Sequence, residues 1–252
     1  MDRIKLPPRL AAIGRLVPDG ARLADVGTDH GLLPIALLRA GKIRSAVATD
    51  IRPGPLARAR ENAARYGAEG LRLVLCDGLA LVSPEEVDTV VIAGMGGETA
   101  VEILAAAPWT ADTFLILQPM SRPEALRAAL PGLGLAITGE TLAEDTGRLY
   151  PVLTARRGES PPLSETDLYT GRWELIRTDP LAGRLFKQLQ SRLKTAAAGL
   201  GQSEREEDRG RLEHIRRVLR ELELRGRLYD AGCYRGCGVF GAESTPGAED
   251  GF

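Results

Sequence analysis

Residues 25–31, Asp25-Val26-Gly27-Thr28-Asp29-His30-Gly31, follow an apolar stretch from Ala21 to Val26 and lead into a leucine-rich run that includes Pro34. An apolar stretch, two glycines and a second apolar run describe a buried strand that turns sharply into a helix. Glycine suits the turn because it adopts positive φ without a steric penalty. The helix is expected to start near Pro34, since proline fits a first helical turn, where its missing N–H is not needed. Strand, glycine turn and helix together form a cradle in which backbone N–H groups converge on a nucleotide-like ligand.

The motifs absent from this turn narrow what it holds. A dinucleotide site would carry G-x-G-x-x-G and a phosphate-gripping loop G-x-x-x-x-G-K-[ST]; neither occurs here. The loop resembles the D-x-G-x-G-x-G motif of S-adenosylmethionine (SAM) methyltransferases, with Asp29 in place of the second glycine. SAM has no pyrophosphate; its charged ends are an amine, a carboxylate and a sulfonium. Asp25 suits the amine, and the glycines let the backbone approach the carboxylate.

Two further acids follow at strand ends. Val47-Ala48-Thr49-Asp50 closes the next apolar strand, about 25 residues after the first motif, where doubly wound folds put a carboxylate on ribose hydroxyls. A third strand, Leu71 to Cys76, runs into Asp77-Gly78, which fits a loop edge facing an adenine ring. An acid after a strand is often only a helix cap. Three acids at successive strand ends point to a ligand, because open α/β sheets bind at the carboxyl ends of their strands.

The 252 residues, 44% hydrophobic and 27% charged, suffice for one ordinary core with an appendage. No apolar run approaches a membrane span, and Met1-Asp2-Arg3-Ile4-Lys5 lacks the apolar segment of a signal peptide. A soluble cytoplasmic protein is expected. Cys76 falls in a buried strand, while Cys233 and Cys237 are spaced one residue wider than C-x-x-C. A zinc site would need two more ligands and the only histidines are His30 and His214, so no metal is expected. A net charge of −1 gives no general attraction to nucleic acid.

From Ala21 to about Arg156 strands alternate with helical patterns, which predicts a parallel sheet covered by helices on both faces. A helix over Pro8 to Leu16 precedes it. Val87 to Ala93 reads as the fourth strand, with Gly94-Met95-Gly96-Gly97 turning into a helix over Glu98 to Ala106. A fifth strand over Thr113 to Leu117 precedes a helix over Arg122 to Leu130. Ala136 to Leu142 and Arg148 to Ala155 are expected as an antiparallel pair on one edge.

Gly158-Glu159-Ser160-Pro161-Pro162 breaks any regular period, so one domain is expected over 1–158. Leu181, Leu185, Leu189 and Leu193, then Leu212, Ile215, Leu219 and Leu222, give two amphipathic helices. The break near Gly199 to Ser203, with Ser203 and Glu206 as a capping box, predicts an antiparallel helical hairpin within 159–230. The tail over 231–252 is expected to be mobile. Between Arg184 and Arg227 twelve bases face seven acids, which composition alone assigns to a solvated helical surface laced with i,i+4 pairs.

Methyl transfer from a sulfonium is an in-line displacement, so the protein mainly aligns nucleophile, methyl and sulfur and excludes water. Enzymes acting on an exocyclic amine carry [N/D/S]-P-P-[Y/F/W] after the fourth strand, where this chain has Gly94-Met95-Gly96-Gly97. Enzymes acting on pyrimidine C5 need a cysteine nucleophile, and Cys76 belongs to the third strand. A ring nitrogen such as adenine N1 attacks without prior deprotonation and asks for a carboxylate near the developing positive charge. Asp29 is placed to supply that field, although it equally suits a helix cap or a loop clamp. His30 is a candidate partner for the acceptor base and equally a structural histidine. Gly94, Gly96 and Gly97 leave room for an extruded base at a helix start, or simply pack a tight turn.

Gly27-Thr28-Asp29-His30 with Leu33-Pro34, Asp50 with Gly54-Pro55-Leu56, Asp77-Gly78-Leu79, Ile92-Ala93-Gly94-Met95-Gly96-Gly97 and Leu117-Gln118-Pro119 together resemble the bacterial tRNA adenine-22 N1-methyltransferase family (TrmK). The resemblance covers about Leu6 to Arg157 and continues loosely into the hairpin. It implies an α/β, Rossmann-like, doubly wound catalytic domain with a C-terminal coiled-coil-like domain, SAM as methyl donor and tRNA as substrate. The cofactor residues are then expected to be Asp25, Gly27, Thr28, Asp50, Ile51, Asp77, Gly78, Ala93, Gly94 and Met95. Asp29 and His30 are the catalytic candidates, with Gly96, Gly97, Gln118 and Pro119 on the acceptor side. Met120 departs from the family, which commonly has Asn after Gln-Pro, and a thioether cannot donate that amide's hydrogen bonds.

The resemblance also changes the reading of the basic hairpin. Freeing the Watson–Crick edge of an adenine in folded RNA calls for base extrusion and for phosphate grips outside the pocket. Arg184, Lys187, Arg192, Lys194, Arg216, Arg217 and Arg220 are expected to include them, on a monomer. Two other readings stand beside this one: a SAM-dependent methyltransferase of another substrate, and a non-catalytic SAM-binding partner subunit.

Overall fold

The computed structural model describes residues 4–202 and 205–232. The Ser203 half of the expected capping box, Cys233, Cys237 and the tail from 233 onward lie outside them. The chain divides into two compact units between Pro161 and Pro162.

The first unit is a seven-stranded sheet in the order β3-β2-β1-β4-β5-β7-β6. Its strands are β1 (Ala21–Val26), β2 (Ile43–Asp50), β3 (Leu71–Leu75), β4 (Thr89–Gly96), β5 (Phe114–Ser121), β6 (Leu135–Asp145) and β7 (Arg148–Arg157). β1 to β5 are parallel; β7 runs antiparallel to β5 and pairs with β6 at the edge. The helices are α1 (Pro8–Leu16), α2 (Leu32–Arg39), α3 (Pro53–Tyr66), α4 (Gly97–Ala106) and α5 (Pro123–Ala129). Central strands covered on both faces need apolar residues at successive positions, and Val90, Val91, Ile92, Leu115, Ile116 and Leu117 are all buried. Val91 and Ile116 join Ile13, Val17, Leu33 and Leu37 in a core under α1 and α2. The alternate side chains point the other way, where α4 and α5 pack on each other and on β4 and β5.

Several boundaries differ from the sequence expectation, and three of them matter most for the site. α2 starts at Leu32, so Pro34 sits inside its first turn rather than opening it. β4 does not end at Ala93 but runs to Gly96, and β5 runs past Leu117 to Ser121. The ladder survives because it slips: Ala93 faces Gln118, Met95 faces Pro119 and Gly96 faces Ser121. An extra residue in one strand is how a ladder passes a glycine at positive φ, here Gly94 at 83°.

The second unit holds α6 (Glu165–Thr170), α7 (Trp173–Ile176), α8 (Ala182–Leu200) and α9 (Glu206–Asp230). α8 and α9 run antiparallel: a Cβ on Gly183 would meet Tyr229, and Lys194 pairs with Glu223. The buried positions are Ala182, Phe186, Leu189 and Leu193 on α8, and Val218, Leu222 and Arg225 on α9. α6 and α7 were not foreseen, although Ser164 and Asp167 form a capping box that marks the start of α6. Arg225 is 6% exposed, bonds Glu221 at 2.5 Å and Thr170 Oγ1 at 2.8 Å, and pairs with Asp167 at 2.9 Å. Half-burial opposes ionisation of Asp167, yet the Ser164 N–H and the Arg225 charge hold its carboxyl below the usual range. Among the described residues no helix is long and apolar enough to cross a membrane.

Candidate active site

A cleft of about 580 Å³ opens at the carboxyl ends of β1 to β4, a volume typical of small-molecule sites. It lies where the strand order reverses between β1 and β4, the crevice in which open α/β sheets bind ligands. All ten expected cofactor residues, Asp25, Gly27, Thr28, Asp50, Ile51, Asp77, Gly78, Ala93, Gly94 and Met95, line it, together with Asp29 and His30.

The loop after β1 owes its shape to three left-handed residues, Gly27 at φ 68°, Asp29 at 53° and Gly31 at 68°, with Thr28 and His30 between them. Alternation of this kind turns neighbouring N–H groups into one concavity that accepts an anion. The loop is anchored by Thr28 N–H to Thr49 O at 2.9 Å and by Asn62 Nδ2 donating to His30 O at 2.9 Å. Asp25 lies below it, 5% exposed, and accepts a hydrogen bond from Thr28 Oγ1 at 2.5 Å. Burial pushes its carboxyl up to about 6, against the opposing pull of the Thr28 hydroxyl and the Arg9 charge. A cationic amine would reverse that penalty. Asp29 is exposed, with Oδ2 3.5 Å from His30 Nε2.

Asp50 is buried at the end of β2, where Oδ1 accepts from Arg52 N–H at 2.9 Å. Ile51 beside it is 65% exposed, an apolar surface next to a carboxylate. Thr49 Oγ1 donates to Gly78 O at 2.8 Å and so fixes the turn carrying Asp77. On the opposite wall Met95 reaches under Gly27, where a Cβ would lie 2.7 Å from Met95 Cε. A carboxylate for an amine, a concavity of N–H groups for a carboxylate, a second acid for hydroxyls and an apolar flank are the donor set that SAM requires. Among the described residues no group of three or more His, Cys, Asp or Glu is placed to hold a metal.

The four acceptor-side candidates do not line this cleft. Gly97 is buried, and a Cβ there would collide with the backbone oxygen of Arg122, so its lack of a side chain serves packing. A Cβ on Gly96 would lie 3.4 Å from Ser121 Oγ. Gln118 is 1% exposed, accepts from Arg9 Nη1 at 2.6 Å and donates to Pro119 O at 2.9 Å. Arg9, Leu10, Thr99 and Ile103 do line the cleft and were missed, because they come from helices whose sequence carries no motif. Cys76 also lines it, buried, with Sγ 3.5 Å from Gly78 O.

The basic candidates all lie in the second unit. Lys187, Arg192, Arg216 and Arg220 are exposed, and Arg209, Arg216, Arg220 and Arg227 recur at spacings that share one face of α9. Arg184 is half-buried. Lys194 pairs with Glu223 at 3.2 Å. Arg217 grips Glu165 through two hydrogen bonds of 2.9 and 3.1 Å. That grip, with help from His214, holds the Glu165 carboxyl down to about 2. Arg217 thus has a structural partner already.

Residues 6–153 match the family model described as a methyltransferase domain. The chain is 33% identical over 162 residues to the tRNA (adenine(22)-N(1))-methyltransferase of Bacillus subtilis, covering 63% of this chain and 68% of that protein. The crystal structure of the B. subtilis m1A22 tRNA methyltransferase TrmK superposes with a TM-score of 0.79 at 25% identity, over 88% of this chain and 99% of that one. M. capricolum TrmK in complex with S-adenosyl-homocysteine superposes with a TM-score of 0.73 at 26% identity, over 85% and 97%.

Proposed function

The chain belongs to the tRNA (adenine(22)-N(1))-methyltransferase family, and from that premise we propose that it transfers a methyl group from SAM to N1 of adenine 22 in tRNA. The observation that carries the reading is the convergence of Asp25, Asp50 and Asp77, from the ends of three successive strands, on one cleft beneath a left-handed loop.

When bound, SAM supplies an electrophilic methyl group on a sulfonium. In this reading the Asp25 carboxylate receives the donor's amine, and the loop N–H groups other than those of Thr28 and Gly31, which bond Thr49 O and Thr28 O, receive its carboxylate. Asp50 takes the ribose hydroxyls, and Ile51 with Asp77-Gly78 flanks the adenine. Asp29, exposed at the mouth, provides the negative field that a ring nitrogen acquiring positive charge requires. His30 beside it orients the acceptor. The target base leaves the RNA stack to reach the donor, and Lys187, Arg192, Arg216 and Arg220 hold phosphates outside the cleft. The chain acts as a monomer in the cytoplasm, where unmodified tRNA is met.

The test is incubation with labelled SAM and unmodified tRNA, followed by nucleoside mass spectrometry and mapping of the modified position. 1-Methyladenosine at position 22 supports the reading. A different methylated nucleoside overturns the acceptor, and binding of SAM without transfer to any RNA makes the chain a non-catalytic subunit.

A further inference from the structure

Arg9, the second residue of α1, carries a charge into the cleft from outside the sheet. Its Nη1 donates to Gln118 Oε1 at 2.6 Å, and a Cβ built on Gly94 would lie 3.9 Å from that same nitrogen. Register places the two groups on either side of it: Asp25 on β1 faces Val91 of β4, and Gln118 on β5 faces Ala93 of β4. β1 and β5 are therefore the two neighbours of β4, about 10 Å apart. Arg9 lies beside Gly94 of β4 and lines the same cleft as Asp25. Gln118 is engaged at both ends of its amide, by Arg9 on the oxygen and by Pro119 O at 2.9 Å on the nitrogen. It acts as a strut rather than a reader of a base.

We propose that Arg9 is a positioning residue that ties the donor half of the cleft to the acceptor half. Its charge keeps Asp25 in the form that receives a cationic amine, and its bond to Gln118 fixes the ends of β4 and β5 against which the acceptor base settles. The inference rests on the methyltransferase reading above. Its electrostatic arm agrees with the downward pull of Arg9 on the Asp25 carboxyl, which burial otherwise raises. Asp29, His30, Asp50, Arg52, Cys76 and Asp77 share the cleft and stay constant across the variants that test it.

Arginine and lysine differ here: both carry the charge, while only the planar guanidinium presents a fork that reaches two partners. With Arg9→Met, the pH midpoint of SAM binding moves upward and kcat on tRNA falls about tenfold or more. With Arg9→Lys, the binding midpoint returns to that of the wild type while the loss in kcat persists. Gln118→Ala lowers kcat without moving the midpoint. Calorimetric SAM titrations from pH 5 to 8 and single-turnover transfer assays read these arms. A midpoint unmoved by Arg9→Met, or equal rescue of both arms by Arg9→Lys, overturns the proposal. Lower melting temperature with both arms intact reduces Arg9 to a structural tie. Absence of transfer by the wild-type chain refutes the functional premise instead, and the binding midpoint still decides whether Arg9 holds Asp25.

Discussion

Replacing Asp25 by Asn should stabilise the ligand-free protein and weaken its hold on SAM, with both effects following pH. The carboxyl is 5% exposed, with one hydroxyl at 2.5 Å and the charge of Arg9 to set against desolvation. Its titration moves from 3.8 to about 6, which corresponds to about 3 kcal/mol. The folded chain holds this proton more tightly than the unfolded one, so the ionised group destabilises the fold above pH 6. That destabilisation fades as pH falls from 6 to below 4. Asn is neutral throughout and keeps the size of the side chain. Asp25→Asn should therefore gain up to about 3 kcal/mol at pH 8, roughly 6–12 °C in melting temperature, and nothing at pH 4. SAM affinity of the wild type should fall about tenfold per pH unit below 6, whereas the variant should bind weakly and without that dependence. Scanning fluorimetry without ligand and calorimetric titration with SAM between pH 5 and 8 measure the two arms, and a His30→Gln control separates the imidazole. A variant no more stable than the wild type at pH 8, or one with undiminished affinity, refutes the reasoning.

Asp29→Ala should reduce turnover more than SAM binding; equal losses would assign the residue to the cofactor alone. Charge reversal at Lys187, Arg192, Arg216 and Arg220 should weaken tRNA binding and flatten its salt dependence by about 0.7–0.9 in log–log slope per lost phosphate contact, and unchanged affinity removes these helices from the RNA interface. Gly97→Ala should cost about 1–3 kcal/mol in a denaturant titration, because the atom it meets is the Arg122 carbonyl, while Gly132→Ala has open space and should be silent. Arg127 and Glu140, buried and 2.7 Å apart, should lose about 3–5 kcal/mol when only Arg127 becomes Met, and far less when Glu140 becomes Leu as well.

The sequence made legible whatever a local pattern encodes. The bounds of β1 and α1 could be read to the residue, since an apolar run or a helical period stops at a glycine or a proline. The acids at Asp25, Asp50 and Asp77 are visible because each lies at or just beyond the carboxyl end of an apolar strand. The extension of β4 to Gly96 was not, because Gly94-Met95-Gly96 has turn composition and only its pairing with Gln118, Pro119 and Ser121 keeps it in the sheet. The amphipathic period of α9 runs through Leu212, Ile215, Leu219 and Leu222, whereas Val218, Leu222 and Arg225 are the buried positions. A fully engaged arginine looks like surface until its partners on α6 are known. Arg9 lay beyond reach for the same reason, since its partner Gln118 is 109 residues away.

The left-handed backbone at Asp29 limits how far its loop can be improved. Two of the loop's three such positions carry glycine, which adopts the conformation freely; at the third an L-residue holds it against a strain of about 1–2 kcal/mol. Engineering for thermal robustness would choose glycine there, and in relaxing the strain would delete the carboxylate at the mouth of the cleft. With the role proposed for Asp29, endurance and reactivity pull in opposite directions at this one residue.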